Sequence, residues 1–181
     1  WSKVDPGEYL GPRANKMWKP VIAAVHGFCA GGALYWINES DIVICSEDAT
    51  FFDPHVTYGM VAALEPIGLR QRLNLSEVLR MALMGNDERI TAQTALRISL
   101  VTEVTSLETL RSRAHEIAAL IAAKPTVAVQ GTVRAIWESL DATRSSALQT
   151  ACKGPLLANR DGMQQVDRKA VMKAVKDVAT R

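Results

Sequence analysis

The 181-residue chain is predicted to be an α/β protein with a helical C-terminal region, and three observations carry the prediction. Short apolar runs punctuate its first third, two adjacent glycines stand where a strand gives way to a helix, and from Leu64 onward the apolar residues follow a helical period.

The first run, Pro20-Val21-Ile22-Ala23-Ala24-Val25, is continuous and short, the pattern of a strand buried on both faces, and it stops at His26-Gly27. Gly31-Gly32 opens a predicted helix over residues 33–38. Asp41 precedes a second strand over residues 42–45, and Thr50-Phe51-Phe52 is a third, broken by Asp53-Pro54. Residues 75–84 form a helix ended by Gly85, and Thr91 caps a short one running through Ile98. Ser106 caps a helix whose apolar positions Leu107, Leu110, Ala114, Ile117 and Ile121 keep the 3.6 period. Pro125 ends or restarts it, and the next helix places Val129, Val133, Ile136 and Leu140 on one face. After Gly154-Pro155 the chain reads as helical and basic. The division expected is a core over residues 1–105 and a helical C-terminal region over residues 106–181.

Composition excludes several classes. With 21 basic against 19 acidic residues, a formal charge of +2 gives no general field toward nucleic acid or a bilayer, so any anion site must be local. Cys29, Cys45 and Cys152 are odd in number, widely spaced and never C-x-x-C, which suggests neither a disulfide framework nor a zinc site. A reducing, cytoplasmic setting is expected, with no metal. No apolar run approaches the roughly 20 residues of a membrane helix. Residues 1–12 read as if beginning in mid-structure, and an upstream part is expected.

The glycine turn Gly27-Phe28-Cys29-Ala30-Gly31-Gly32 is the sharpest chemical signal. Backbone N–H groups at a helix start are unpaired and can meet an anion or a developing oxyanion, and glycine permits close approach. Taken alone, the spacing fits a helix-packing turn equally well. It is neither G-x-G-x-x-G nor a P-loop, and G-x-S-x-G is absent.

The run Lys19-Pro20-Val21-Ile22-Ala23-Ala24-Val25-His26-Gly27-Phe28-Cys29-Ala30-Gly31-Gly32-Ala33, followed by Asp41-Ile42-Val43, resembles the K-P-V-I-A-A-V-x-G-x-x-x-G-G-G…C-D signature of the crotonase superfamily, the enoyl-CoA hydratase/isomerase family. The resemblance continues through Ser46-Glu47-Asp48-Ala49-Thr50-Phe51, Gly85, Arg89-Ile90-Thr91-Ala92-Gln93-Thr94-Ala95 and Leu100-Val101, and Asn159-Arg160-Asp161-Gly162 is similar to a late D-x-x-E-G turn. It implies a β-α superhelix core, a C-terminal helical set that makes homotrimers or hexamers, and coenzyme A as part of an acyl-CoA substrate rather than a separate cofactor. It also implies two backbone N–H groups that stabilise a thioester enolate, one of them that of Gly32. The second belongs to an A-G-x-D-type segment upstream in the family, which this sequence does not contain.

The positions of the family's two glutamates map onto Tyr35 and His55. Water addition across a conjugated double bond needs a base and an acid, so ordinary hydratase chemistry is not expected. His55 suits acid/base work, since imidazole titrates near neutral pH and Asp53 can orient it; a hydrogen-bonded loop histidine is the plainer alternative. Tyr35 either donates its hydroxyl to a substrate oxygen or packs. Glu65 either replaces a missing carboxylate or stays solvated at a helix start, the second being the simpler account. Glu39, one turn beyond Tyr35, is a candidate partner for it. For substrate binding the candidates are His26, Phe28, Gly31, Met60 and Lys169, with Phe51, Phe52, Val61 and Leu64 as pocket or core. His26 reads more simply as structural. Lys169 stands on a basic face with Arg168, Lys173 and Lys176, opposite an apolar face of Met163, Val166, Ala170 and Ala174.

The function expected is an acyl-CoA enzyme of fatty acid metabolism working through an oxyanion-stabilised enolate, with His55 and either Tyr35 or Glu65 moving the proton. Two alternatives stay open: a hydrolase or lyase built on His55, and a non-catalytic acyl-CoA binding or assembly subunit.

Overall fold

The computed structural model describes Val4 and residues 6–174; Lys176 lies outside them. The architecture is mixed α/β, as the sequence predicts. It divides into two compact units, Trp1–Ala119 and Leu120–Arg181.

In the first unit a short helix, α1 (Gly7–Leu10), precedes strands β1 (Ile22–Val25) and β2 (Phe28–Ala30), helix α2 (Ala33–Glu39), and strands β3 (Ile42–Ser46) and β4 (Thr50–Phe52). A 3-10 turn (His55–Tyr58) then leads to helices α3 (Leu64–Leu69) and α4 (Leu75–Met84), strand β5 (Ile90–Thr91), helix α5 (Ala92–Arg97), strand β6 (Glu103–Thr105) and helix α6 (Leu107–Ala122).

The strands form two three-stranded sheets, ordered β1-β3-β6 and β2-β4-β5. β1 and β3 pair in parallel with Ile22 opposite Ile42, and β2 and β4 pair in parallel with Phe28 opposite Thr50. The chain therefore turns a corner at His26-Gly27, crosses over through α2, and turns a matching corner at Glu47-Asp48-Ala49. Each circuit adds one strand to each sheet, which is the β-α superhelix that the resemblance implies. The corners are tied by Thr50 N–H on the Gly27 carbonyl (2.8 Å) and Gly27 N–H on Asp48 Oδ2 (3.2 Å). The Ser46 hydroxyl also donates to Asp48, and with Gly27 N–H and His26 it holds the Asp48 carboxyl below the usual range.

The core between sheets and helices includes Cys29, Leu34, Ile37, Val43, Phe51, Leu69, Val78, Ala95, Leu100 and Val101, all nearly inaccessible. Burial of each large side chain stabilises the fold by about 1.5–3 kcal/mol. Side-chain caps start several helices. Asn74 Oδ1 accepts Glu77 N–H, Thr91 Oγ1 accepts Thr94 N–H, and Ser106 Oγ accepts Thr109 N–H. Gly85 ends α4 at φ +60 and ψ −127, backbone that only glycine adopts without strain.

Several expectations need correction. The first unit contains β2, β5 and β6 in addition to the three strands read from the sequence, because strands of two or three residues leave too little alternation to detect. On α6 only Leu110 is buried; Leu107 of the expected stripe is exposed.

The second unit consists of α7 (Thr126–Ser139), α8 (Arg144–Lys153), a 3-10 turn (Pro155–Ala158), α9 (Asn159–Gln164) and α10 (Arg168–Ala174). Gly162, expected in a turn, is buried within α9 against Val127 and Ala128. Ile136 and Leu140 of the α7 stripe are exposed. No described helix is long and apolar enough to cross a membrane.

Candidate active site

The segment Asp53-Pro54-His55 builds its own geometry. Leaving β4, Asp53 is completely buried, and its Oδ1 accepts the His55 backbone N–H at 3.1 Å, which starts the 3-10 turn. The same oxygen lies 2.5 Å from the ring nitrogen Nδ1 of His55. A carboxylate two residues before a histidine thus grips both its backbone and its ring. Because carboxylate oxygens only accept, Nδ1 carries a proton in this contact, and in the neutral imidazole Nε2 then presents its lone pair.

Nε2 points toward Glu65, whose Oε1 is 3.9 Å away. Glu65 is only 6% exposed, so it is not the solvated helix-start carboxylate that is the simpler reading of the sequence. The physical reason is tertiary. The first turn of α3 faces α2 and the 3-10 turn, which puts Glu65 and Pro66 inside while Leu64 and Ile67 stay outside. The 3.9 Å separation is too long for a hydrogen bond, so the two groups face each other without bonding directly.

The glycine turn stands against the same imidazole. Gly31 has φ +50, and a side chain there would lie 3.6 Å from Pro54 and 3.9 Å from His55 Cε1. The left-handed backbone therefore favours glycine at this position, while the contacts with Pro54 and His55 are ordinary packing distances. Gly32 begins α2 with φ −53, and among the described residues no acceptor is found for its N–H. Gly32 is exposed, so an oxygen can reach that N–H from solvent.

Other candidates fall differently. Tyr35 is 8% exposed and sits on the buried side of α2 with Leu34, Ile37 and Asn38. Glu39 is engaged elsewhere: its carboxylate accepts the N–H groups of Arg13 (2.6 Å) and Ala14 (3.1 Å), which corrects its expected partnership with Tyr35. Phe28 is 70% exposed, stacked under the Arg89 guanidinium at 4.3 Å and edge-on to Phe52 at 6.3 Å. Met60 is exposed, and its N–H donates to the His55 carbonyl at 3.0 Å, closing the 3-10 turn. His26 is exposed, at the corner after β1 and near Asp48. Lys169 is on α10 in the second unit. Of the apolar face expected there, Met163 and Ala170 are exposed and Val166 is half-buried.

Asp53, His55 and Glu65 are also the group, among the described residues, whose ligand atoms are close enough together for a metal ion, all within 4.8 Å of one another. Asp53 holds Nδ1, and Nε2 faces a Glu65 oxygen, an arrangement also suited to proton transfer.

Sequence reasoning did not anticipate Asn38, whose side-chain Nδ2 donates to the Glu65 carbonyl at 2.9 Å, nor Gly68, which leaves room for that amide. An asparagine within a helix and a glycine in a short one carry no mark of this contact.

Comparison with known proteins adds context. The family model described as Enoyl-CoA hydratase/isomerase matches residues 7–176. The short-chain-enoyl-CoA hydratase of Clostridium acetobutylicum is 36% identical over 144 residues, covering 78% of this chain and 54% of that protein. An indene-carboxyl-CoA hydrolase of Rhodococcus jostii is 35% identical over 117 residues, covering 65% of this chain and 44% of that protein. The crystal structure of an enoyl-CoA hydratase/isomerase from Mycobacterium paratuberculosis superposes with a TM-score of 0.80 at 38% identity, covering 94% of this chain and 65% of that one. The chain thus spans about half the length of the curated relatives it matches.

Proposed function

Because this chain belongs to the enoyl-CoA hydratase/isomerase family, we propose that it forms the acid/base half of an acyl-CoA thioester enzyme in which His55 replaces a family glutamate. The carrying observation is the arrangement Asp53–His55–Glu65 beside the Gly31-Gly32 turn, with Nδ1 held at 2.5 Å and Nε2 free to act.

The thioester carbonyl oxygen accepts the Gly32 N–H, which stabilises the negative charge that develops on it as the enolate forms. His55 Nε2 takes a proton from the substrate or from a bound water and later returns it. Asp53 holds the tautomer that makes Nε2 basic and stabilises the imidazolium once it forms. Of the two partners considered for His55, Glu65 is the one beside Nε2, and it receives or supplies the second proton. Tyr35, on the buried side of α2, is assigned no proton-transfer role. A histidine between two carboxylates serves hydration, double-bond shift and hydrolysis alike, and relatives named as a hydratase and as a hydrolase are consistent with that breadth. Self-association through exposed apolar residues of the second unit, such as Leu157 and Met172, completes the proposal.

The test is turnover and binding of a panel of acyl- and enoyl-CoA thioesters by the full-length protein, alongside His55→Ala. Turnover that falls by about 10²-fold or more in His55→Ala with binding retained supports the enzyme. Binding without turnover in the wild type refutes it in favour of a thioester-binding scaffold, the reading favoured by loss of both family glutamates at Tyr35 and His55.

A further inference from the structure

Glu65 lies in a helix that has little to hold it in place by itself. α3 has six residues, its N-cap Ala63 makes no side-chain cap, and the segment before it, Met60 to Ala63, has no regular structure. A helix this short does not persist on its own hydrogen bonds. Its position comes from α2, through two tethers. The Asn38 side-chain amide donates to the Glu65 carbonyl at 2.9 Å with both residues buried. Arg72, just beyond α3, donates to the Ser40 carbonyl at the end of α2 and to the Asn38 carbonyl at 3.3 Å.

The Asn38 tether is selective. Gly68 faces the Asn38 amide so closely that a Cβ there would collide with Nδ2 and Cγ. Asn38 Oδ1, by contrast, is buried and has no hydrogen-bond partner. A residue chosen only for packing would not bury an unpaired acceptor at this point. What Asn38 does supply is one directional bond to the backbone of the residue whose carboxylate faces His55. α2 begins at the Gly32 turn, so a single short helix carries the carbonyl-binding N–H at its start and the Glu65 tether near its end.

We infer that Asn38 is a positioning residue: its amide fixes the first turn of α3 so that the Glu65 carboxylate stays in reach of His55 Nε2, in register with the oxyanion site. The inference rests on the proposal that His55 and Glu65 move the proton. Asn38 does not touch the substrate; it acts through Glu65.

The variant Asn38→Leu keeps side-chain size and removes both the tether and the unpaired acceptor without opening the cavity that a truncation would leave. In the full-length protein, kcat is expected to fall about tenfold to 10²-fold with KM little changed, because displacement of a reacting group by about an ångström costs that much. At fixed pH the ¹⁵N signals of the His55 ring are expected to move in the direction seen in Glu65→Gln. Gly68→Ala displaces the Asn38 amide from the other side and is expected to give the same pair of changes. Folded Asn38→Leu or Gly68→Ala protein with wild-type kcat and unchanged His55 signals would overturn the inference; a lowered melting temperature alone would mean a purely structural tether. If the wild type turns over no thioester, the functional proposal fails, and the ring signals still decide whether Asn38 governs the Glu65–His55 contact.

Discussion

Replacing Asp53 by asparagine tests the mechanism at its most sharply defined contact. In the wild type, Oδ1 takes both the His55 N–H and Nδ1–H, and Oδ2 is buried without a partner. Asparagine can enter in two ways, and both are unfavourable. If its oxygen keeps the Oδ1 position, its NH₂ occupies the Oδ2 site as a buried donor with no acceptor, which costs about 1–3 kcal/mol of stability. If it flips, its NH₂ faces Nδ1 and forces the proton onto Nε2, where it points at Glu65 and the base is lost. Either way the imidazolium loses a buried counter-charge. The expected loss is about 10²–10⁴-fold in kcat, or roughly 3–5 kcal/mol of transition-state stabilisation, with KM nearly constant. Steady-state kinetics on whichever CoA thioester the wild type turns over measures this, and ring ¹⁵N shifts report the tautomer. A kcat within about threefold of wild type, with Nδ1 still protonated, would refute the assignment of Asp53 as the orienting group, since tautomer control should matter far more than that.

Further outcomes follow from the same geometry. In Gly85→Ala, a Cβ at φ +60 meets Thr57 Oγ1 and lies 3.2 Å from Val56 Cγ2, both in the turn that carries His55. Urea unfolding should show a loss of about 1–3 kcal/mol, and an unchanged midpoint would contradict the strain argument. Phe51→Ala empties a fully buried site opposite Cys29 on β2, and about 3–5 kcal/mol should be lost; a loss under about 1 kcal/mol would mean that the two sheets do not share the core described. Burial pushes the Cys29 thiol up to about 12, and burial with the nearby Asp48 pushes Cys45 up to about 11, against an ordinary 9.0. A thiol reagent should therefore label native protein at Cys152 alone. These raised values also stabilise the fold below about pH 9, and that contribution is lost as pH rises through about 11 and 12, because the unfolded thiols ionise first. Unfolding midpoints that stay level between about pH 8 and 10.5 would argue against buried thiols.

How much was legible in the sequence depended on the range of the interaction. The apolar run ending at Val25, the Gly31-Gly32 turn, the caps at Thr91 and Ser106 and the stop at Gly85 are local signals, because periodicity, φ preference and side-chain-to-backbone bonds act within a few residues. The pairing of Asp53 with His55 belongs to the same class, since only one intervening residue separates carboxylate and ring. The family resemblance supplied the β-α superhelix as a whole, which strands as short as Ile90–Thr91 did not reveal by themselves.

Only the tertiary structure decided the state of each candidate acid or base. Glu65 is ten residues from His55 in sequence, and a glutamate at a helix start is solvated by default; it is buried because α3 packs on α2 through Asn38 and Gly68. Glu39, by the same helical spacing that suggested a role beside Tyr35, turns instead to the backbone of Arg13 and Ala14. Sequence determined which residue types adjoin along the chain, as within the glycine turn and within Asp53-Pro54-His55, because chain connectivity fixes such neighbours. Which carboxylates lose their water, and which imidazole nitrogen faces them, depends on packing between segments that are distant in sequence, and that is a property of the folded chain alone.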